Sequence, residues 1–171
     1  MAAAFRRKVQ AGLWAGLTLC GSGGFAGGPG AGGTWLTFGA GIEPLKRGPR
    51  RAFGSLELAR WSARRRVGVW ASYDATTDSR WMGLGLAVGL PVGERGFLSL
   101  SSGPGWYPDQ RTFDLGSGRV FRSTLTCTWR GGGRWEAGLA LSHYSNGGAV
   151  GHNPGMETLR LVVGIPLGRR R

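Results

Sequence analysis

From Thr34 onward, large apolar residues recur at every second position, and clusters rich in Gly, Pro, Asp and Thr interrupt the runs. Alternation with a period of two is typical of β-strands with two different faces, and the interrupting residues are typical of turns. The pattern therefore predicts an all-β protein of eight antiparallel strands. The predicted strands are residues 34–43, 51–62, 66–75, 80–90, 96–103, 119–130, 134–145 and 157–166.

Each run has one bulky apolar face and one face of small or polar residues. In the fourth run, Met82, Leu84 and Leu86 share a face, while Gly83 and Gly85 lie on the other. A soluble barrel would turn the bulky face inward, whereas a narrow barrel in a bilayer turns it toward lipid and keeps small residues in the lumen. The even strand number favours the membrane barrel, since only a closed barrel satisfies every strand hydrogen bond in hydrocarbon. We therefore expect a transmembrane β-barrel of the outer-membrane type.

Tryptophans lie near the predicted strand ends, where membrane barrels carry girdles of aromatic residues. The alternative is that these side chains fill a core. The second run fits the pattern least well because Glu57 interrupts it, but a lumen-facing Glu57 would be tolerated near Arg122 or Arg160. The tryptophans concerned are Trp35, Trp61, Trp81, Trp106, Trp129 and Trp135.

The N-terminus resembles a secretory signal peptide, with a basic start at Arg6, Arg7 and Lys8, an apolar stretch, and a small-x-small cleavage site at Gly24-Phe25-Ala26. An N-terminal helix of the mature domain is the alternative. Cleavage would remove Cys20 and leave Cys127 alone, which excludes an intramolecular disulfide. The predicted organisation is a signal peptide over 1–26, a Gly-rich segment over 27–33, the barrel over 34–167 and a basic tail over 168–171.

Composition excludes several other classes of protein. The 171 residues suffice for one domain, and 34 glycines without a G-X-Y period exclude collagen and disfavour a helical bundle. A hydrophobic fraction of 41% with eight tryptophans excludes wholesale disorder. After the N-terminus, no apolar run is long enough for a transmembrane helix.

The net charge of +13 comes from basic residues clustered in the predicted connections at both ends of the barrel. This spread does not favour a single nucleic-acid groove, and secretion would separate the chain from nucleic acid, so we expect no nucleic-acid partner. If the mature N-terminus lies in the periplasm, the loop from Lys46 to Arg51 faces outward, where lipopolysaccharide phosphates are natural counter-ions. The alternative is that these residues simply form solvated loops.

Both histidines of the sequence, His143 and His152, lie near the C-terminal end. His143 and Ser145 are two positions apart on a predicted strand, so they share a face about 7 Å apart, and an imidazole reaching along the strand can approach the hydroxyl. Glu157 opens the next strand, and hairpin pairing would bring it beside His143. A serine nucleophile needs such a base, and the base needs a carboxylate that fixes its tautomer. The three residues form a candidate Ser-His-Glu triad.

Strand parity predicts where this triad points. Leu139 and Leu141 share the face of His143, and Leu159 shares that of Glu157, so the triad lies on the lipid-facing wall. Counting strands from the periplasm places it at the extracellular rim. Each residue alone is commonplace at a strand end, but three polar residues at one depth on two apolar faces favour a site. The predicted substrate is a lipid of the outer leaflet, entering sideways.

Two segments of the C-terminal hairpin contain the triad. They read His143-Tyr144-Ser145-Asn146-Gly147-Gly148 and Asn153-Pro154-Gly155-Met156-Glu157, and Leu115-Gly116-Ser117 precedes the sixth strand. The pattern resembles the signature of the PagL-type lipid A 3-O-deacylases, eight-stranded outer-membrane barrels with a lipid-facing Ser-His-Glu triad. The resemblance implies an esterase in the outer membrane of a Gram-negative bacterium that removes the 3-O-linked acyl chain of lipid A. We expect no cofactor or metal, since the triad and an oxyanion hole supply the chemistry.

The resemblance also implies roles for individual residues. Ser145 would be the nucleophile, His143 the base and Glu157 its orienting acid. The side chain of Asn153 and the backbone N–H of Gly148 would stabilise the oxyanion, a contribution commonly worth about 10²- to 10³-fold in rate for each donor.

Other residues of the motif are expected to support its shape, namely Asn146, Gly147 and Gly155. His152 has no role that the resemblance assigns, and the basic tail departs from the usual aromatic or apolar C-terminus of such barrels. The resemblance leaves room for a homodimer. The alternative functions are a non-catalytic outer-membrane barrel serving adhesion or envelope structure, and a soluble secreted binding barrel.

Overall fold

The computed structural model describes residues 33–43, 50–62, 65–108, 114–131 and 135–167. Within these ranges the chain forms eight antiparallel strands that close into a barrel, as the alternation predicts. The predicted signal peptide, the basic tail and most of the Gly-rich segment lie outside the described residues. The strands are β1 Thr34–Glu43, β2 Arg51–Trp61, β3 Val67–Ala75, β4 Arg80–Val92, β5 Gly96–Trp106, β6 Arg119–Arg130, β7 Glu136–Ser145 and β8 Met156–Leu167.

Each strand pairs with its sequence neighbours, and β8 closes on β1 with Leu167 opposite Thr34. β5 is longer than expected, because the chain stays extended through Pro104, opposite Phe121 of β6. On its other side, the β4–β5 register passes from Leu86 opposite Ser102 to Gly83 opposite Gly105, skipping the proline. Proline has no N–H to donate to a ladder, but its fixed φ is compatible with an extended strand. The predicted strand 96–103 therefore ends three residues too early.

The bulky apolar face of every strand points outward, as predicted for a membrane barrel. Leu84 is 65% exposed and Leu161 68% exposed, although both are in the middle of well-paired strands. Apolar side chains have a lower free energy in hydrocarbon than in water, so these positions fit a lipid-facing surface. Among the described residues, no helix has the length and apolar character needed to cross a membrane.

Charged and aromatic side chains occupy much of the lumen. Arg122 donates to Glu57 Oε2 at 2.6 Å and to Asp74 Oδ2 at 3.0 Å. Arg160 donates to the other oxygen of Asp74 at 3.3 Å, and the Tyr144 hydroxyl also donates to Asp74. Glu57 thus faces the lumen and pairs with Arg122, one of the two arginines beside which it would be tolerated. These residues form a buried ionic network in the half of the barrel nearer the β5–β6 and β7–β8 connections.

The predicted aromatic girdle is wrong for three of its members. Trp106, Trp129 and Trp135 are exposed on the outer wall, but Trp35, Trp61 and Trp81 lie inside the barrel. Glycines on the inward face make room for these indoles. A Cβ at Gly83 or Gly105 would overlap with the ring of Trp81. The many glycines of the inward face therefore allow tryptophan to fill a narrow lumen.

Arg65, in the basic connection between β2 and β3, is buried at the end of the barrel where this connection lies. Its guanidinium donates two hydrogen bonds to Glu136, at 2.8 and 2.9 Å. The same group stacks over Phe97 at 3.8 Å and Trp35 at 4.3 Å. Cation–π stacking and a paired carboxylate compensate for the loss of water around the charge.

Connections of different length mark the two ends of the barrel. In outer-membrane barrels the short turns are periplasmic and the longer loops extracellular. The end that carries the β5–β6 and β7–β8 loops is therefore the extracellular one. The connections are residues 62–66, 93–95 and 131–135 at the periplasmic end, and 44–50, 76–79, 107–118 and 146–155 at the extracellular end.

Candidate active site

His143 and Glu157 face each other across the β7–β8 pair, near the extracellular end. The Nδ1 atom of His143 lies 3.5 Å from Oε1 of Glu157. The His143 side chain is 50% exposed on the outer wall and that of Glu157 22% exposed. The imidazole is thus accessible from the lipid side, with a carboxylate behind its Nδ1 edge.

Ser145 is the last residue of β7 and follows His143 on the same outward face, opposite Phe121 of β6. Residues two apart on a strand lie about 7 Å apart at their Cα atoms. In the described part of the chain, no hydrogen bond joins the Ser145 hydroxyl to His143. Hydrogen bonds of this kind are often long in free enzymes and shorten when substrate binds. The structure brings His143 and Glu157 together and leaves Ser145 beside them.

Asn146 organises the loop that follows β7. The residue is only 1% exposed, and its side chain donates to the carbonyl oxygens of Leu115, at 2.8 Å, and His152, at 2.7 Å. Its Oδ1 accepts a hydrogen bond from the Gly148 N–H at 2.8 Å. These bonds join the β7–β8 loop to the β5–β6 loop. Asn146, which was expected only to support the shape of the site, is therefore a buried residue that holds two loops together by hydrogen bonds.

Leu115 and Gly116, in the β5–β6 loop, form the other side of this contact between the two loops. Leu115 is fully buried, and Gly116 has a φ of +76°, a conformation that favours glycine. A Cβ at Gly116 would overlap with the carbonyl oxygen of His152. Close packing of the two loops thus explains this Leu-Gly pair, and the backbone of His152, rather than its exposed side chain, takes part.

The two expected oxyanion donors lie in the same loop. Asn153 is exposed, and its Oδ1 accepts from the Asn146 N–H at 3.2 Å, which leaves the Nδ2 group as its available donor. Gly147 and Gly148 have φ values of +66° and +79°. The Gly148 N–H already donates to Asn146 Oδ1, so it would have to exchange this acceptor for an oxyanion.

Gly155 lies directly against the imidazole. Its φ is +66°, and a Cβ at this position would be 2.8 Å from Cε1 of His143. Real side chains do not approach so closely, so any larger residue would push the ring away from its place. Gly155 therefore sets the position of His143.

For the ester hydrolysis that the resemblance implies, we expect Gly155→Ala to lower the rate about 10- to 100-fold, because a displaced imidazole no longer meets its partners. Gly151→Ala is the matched control in the same loop, since a Cβ there meets nothing within 4 Å. The measurement is the rate of ester hydrolysis by equal amounts of folded protein. Equal rates for the two variants would contradict a positioning role for Gly155.

The fold and the arrangement at its rim define an outer-membrane β-barrel with a polar site on its lipid-facing wall. The model of the lipid A 3-O-deacylase (PagL) family matches residues 50–166. The chain belongs to this family, and the protein is located in the outer membrane.

Solved structures agree on the fold. The crystal structure of the outer membrane enzyme PagL superposes with a TM-score of 0.62 at 18% identity, over 78% of this chain and 99% of that one. Neisserial surface protein A gives a TM-score of 0.58 at 6% identity, over 78% and 97% of the two chains. Ail of Yersinia pestis gives 0.50 at 9% identity, over 78% and 99%. A sequence comparison with curated proteins gives no significant match.

Proposed function

We propose that this protein is a serine esterase that hydrolyses the ester of the 3-O-linked acyl chain of lipid A. The observation that carries the proposal is the His143–Glu157 pair on the lipid-facing wall, with Ser145 next to it on the same strand face. Family membership supports the same reaction. Lipopolysaccharide is the proposed substrate, and the homodimer stays a prediction.

In the proposed mechanism, the Ser145 hydroxyl attacks the ester carbonyl carbon while His143 Nε2 takes the hydroxyl proton. Glu157, on the Nδ1 side, keeps the ring in the tautomer that leaves Nε2 free to accept and then stabilises the imidazolium. The tetrahedral intermediate collapses as His143 returns the proton to the sugar oxygen, leaving an acyl chain on Ser145. A water deprotonated by His143 then attacks this acyl group and restores the serine hydroxyl.

The negative oxygen of the tetrahedral intermediate needs donors on the extracellular side of Ser145. We assign this role to the Nδ2 group of Asn153 and the N–H of Gly148. Donors at this position stabilise charge that develops only in the transition state. The Gly148 N–H reaches the oxyanion by exchanging its present acceptor, Asn146 Oδ1. Asn146 contacts both residues, since its backbone N–H donates to Asn153 Oδ1 and its side-chain Oδ1 accepts from the Gly148 N–H, so it acts on the oxyanion through them.

The route to this site runs along the outer wall. Trp81, Arg122 and Tyr144 are buried and occupy the lumen, so an acyl chain has no passage there. On the outer wall, four exposed leucines lie opposite one another across β5 to β8. The leucine of this row on β7 is the outward-facing residue next to His143 on its periplasmic side. This leucine row is a surface on which acyl chains can lie. Its members are Leu100, Leu125, Leu141 and Leu159.

The test is expression of the full chain in a Gram-negative host, followed by mass spectrometry of lipid A. We expect a loss of mass equal to one hydroxyacyl chain. A non-catalytic barrel would leave the spectrum unchanged although the protein is folded, which heat-modifiable mobility on a gel would show. That outcome would favour an adhesive or structural role instead.

A further inference from the structure

Four neighbouring strands each present a polar side chain on the outer wall, at positions that lie opposite one another in the strand pairing. Ser102 of β5 lies opposite Ser123 of β6, and Ser123 lies opposite His143 of β7. His143 in turn lies opposite Glu157 of β8. The strand pairing thus adds two serines to the row of polar residues at the candidate site.

The two serine hydroxyls are hydrogen-bonded to each other at 3.0 Å, and both residues are exposed on the outer wall. Apart from His143, the neighbours on this wall are apolar and include Leu86, opposite Ser102, and Phe121, two residues before Ser123. A hydroxyl facing hydrocarbon is costly unless it is hydrogen-bonded. The mutual bond uses one of the two protons, so one O–H donor and several lone pairs remain for a ligand.

We propose that the Ser102–Ser123 hydroxyl pair binds the β-hydroxyl of a 3-hydroxyacyl chain whose ester is attacked by Ser145. This inference rests on the proposed esterase activity and names the acyl class that the site selects. Ser123 is the diagonal cross-strand neighbour of Ser145, and such neighbours lie about 7–8 Å apart at their Cα atoms. The β-hydroxyl is only two carbons from the carbonyl carbon, so both groups of one chain fit this separation.

The pair then acts as a selectivity determinant beside the catalytic residues. A plain acyl chain would leave the serine hydroxyls without a ligand, while a hydroxylated chain would complete their hydrogen bonds. The net gain from one such bond corresponds to about three- to ten-fold in affinity or rate.

The experiment compares two synthetic glucosamine lipids that differ only in the β-hydroxyl of the 3-O-acyl chain. We expect wild-type protein to prefer the hydroxylated lipid about three- to ten-fold in kcat/KM. Ser123→Ala should bring this ratio close to one, because the loss falls mainly on the hydroxylated lipid. Ser101→Ala is the matched control, since it removes an inward-facing hydroxyl from β5 and should keep the preference.

Equal losses on both lipids in Ser123→Ala would mean that the pair supports His143 or the fold, and would overturn the proposal. An unchanged ratio would overturn it as well. Binding of both lipids to the Ser145→Ala protein measures the preference without turnover. If wild type hydrolyses neither lipid, the esterase proposal fails, but the hydroxyl subsite is still decided by whether Ser123→Ala removes the binding preference in that background.

Discussion

Replacing Ser145 with alanine is expected to leave lipid A at its full mass, with acyl release slower by about 10⁴-fold or more. Without the hydroxyl, no acyl-enzyme can form, and the His143–Glu157 pair has no proton to take. The measurement is the fraction of lipid A that has lost one hydroxyacyl chain when wild type and variant are expressed at equal levels.

The control is Ser99→Ala, which removes a hydroxyl from the lumen side of β5 and should keep full activity. Both variants should show the heat-modifiable mobility of a folded barrel. If Ser145→Ala retains more than about a tenth of the wild-type activity, the nucleophile is another group and the proposed mechanism fails.

Asp74→Ala should lower the free energy of unfolding by about 3–5 kcal/mol. Asp74 accepts hydrogen bonds from both Arg122 and Arg160, whose side chains are almost completely buried. Removing the carboxylate leaves these charges in the lumen with too little compensation. Urea unfolding in micelles, followed by tryptophan fluorescence, measures the effect, since Arg122 stacks on Trp70 at 4.3 Å and on Trp81 at 4.8 Å.

Asp78→Ala provides the contrast, because it also breaks an aspartate–arginine pair. Asp78 lies 2.9 Å from Arg51, but its side chain is 59% exposed. Exposed pairs contribute about 0–1 kcal/mol, so this variant should unfold almost like wild type. Similar losses for both variants would show that burial of the ionic network has no special weight in stability.

The strands were predictable because their information is local. The boundaries of β1 and β6 agree with the alternation, and both faces of β4 are as predicted. The prediction was wrong where a residue type occurs in two different structural settings. The fifth strand continues through Pro104 beyond its predicted end at Gly103, and Trp35 and Trp81 fill the lumen instead of forming a girdle.

The position of the candidate triad also followed from local information. A hairpin needs no distant contact, so the expectation that Glu157 would lie beside His143 is confirmed by their direct pairing. Its catalytic roles stay proposals. Ser123 could not be singled out in the same way, because an outward serine has no distinctive signal until the register aligns it with Ser102 and His143.

By itself, the sequence determined which residues are extended, which face of each strand is apolar, and which residues meet at the C-terminal hairpin. Only the tertiary structure decided which charges share the lumen. Asp74 meets Arg122 and Arg160 from strands far apart in the chain, and Arg65 meets Glu136 across the barrel. The physical reason is that alternation specifies a face within a strand, whereas closure and register specify which inward side chains reach each other across the lumen.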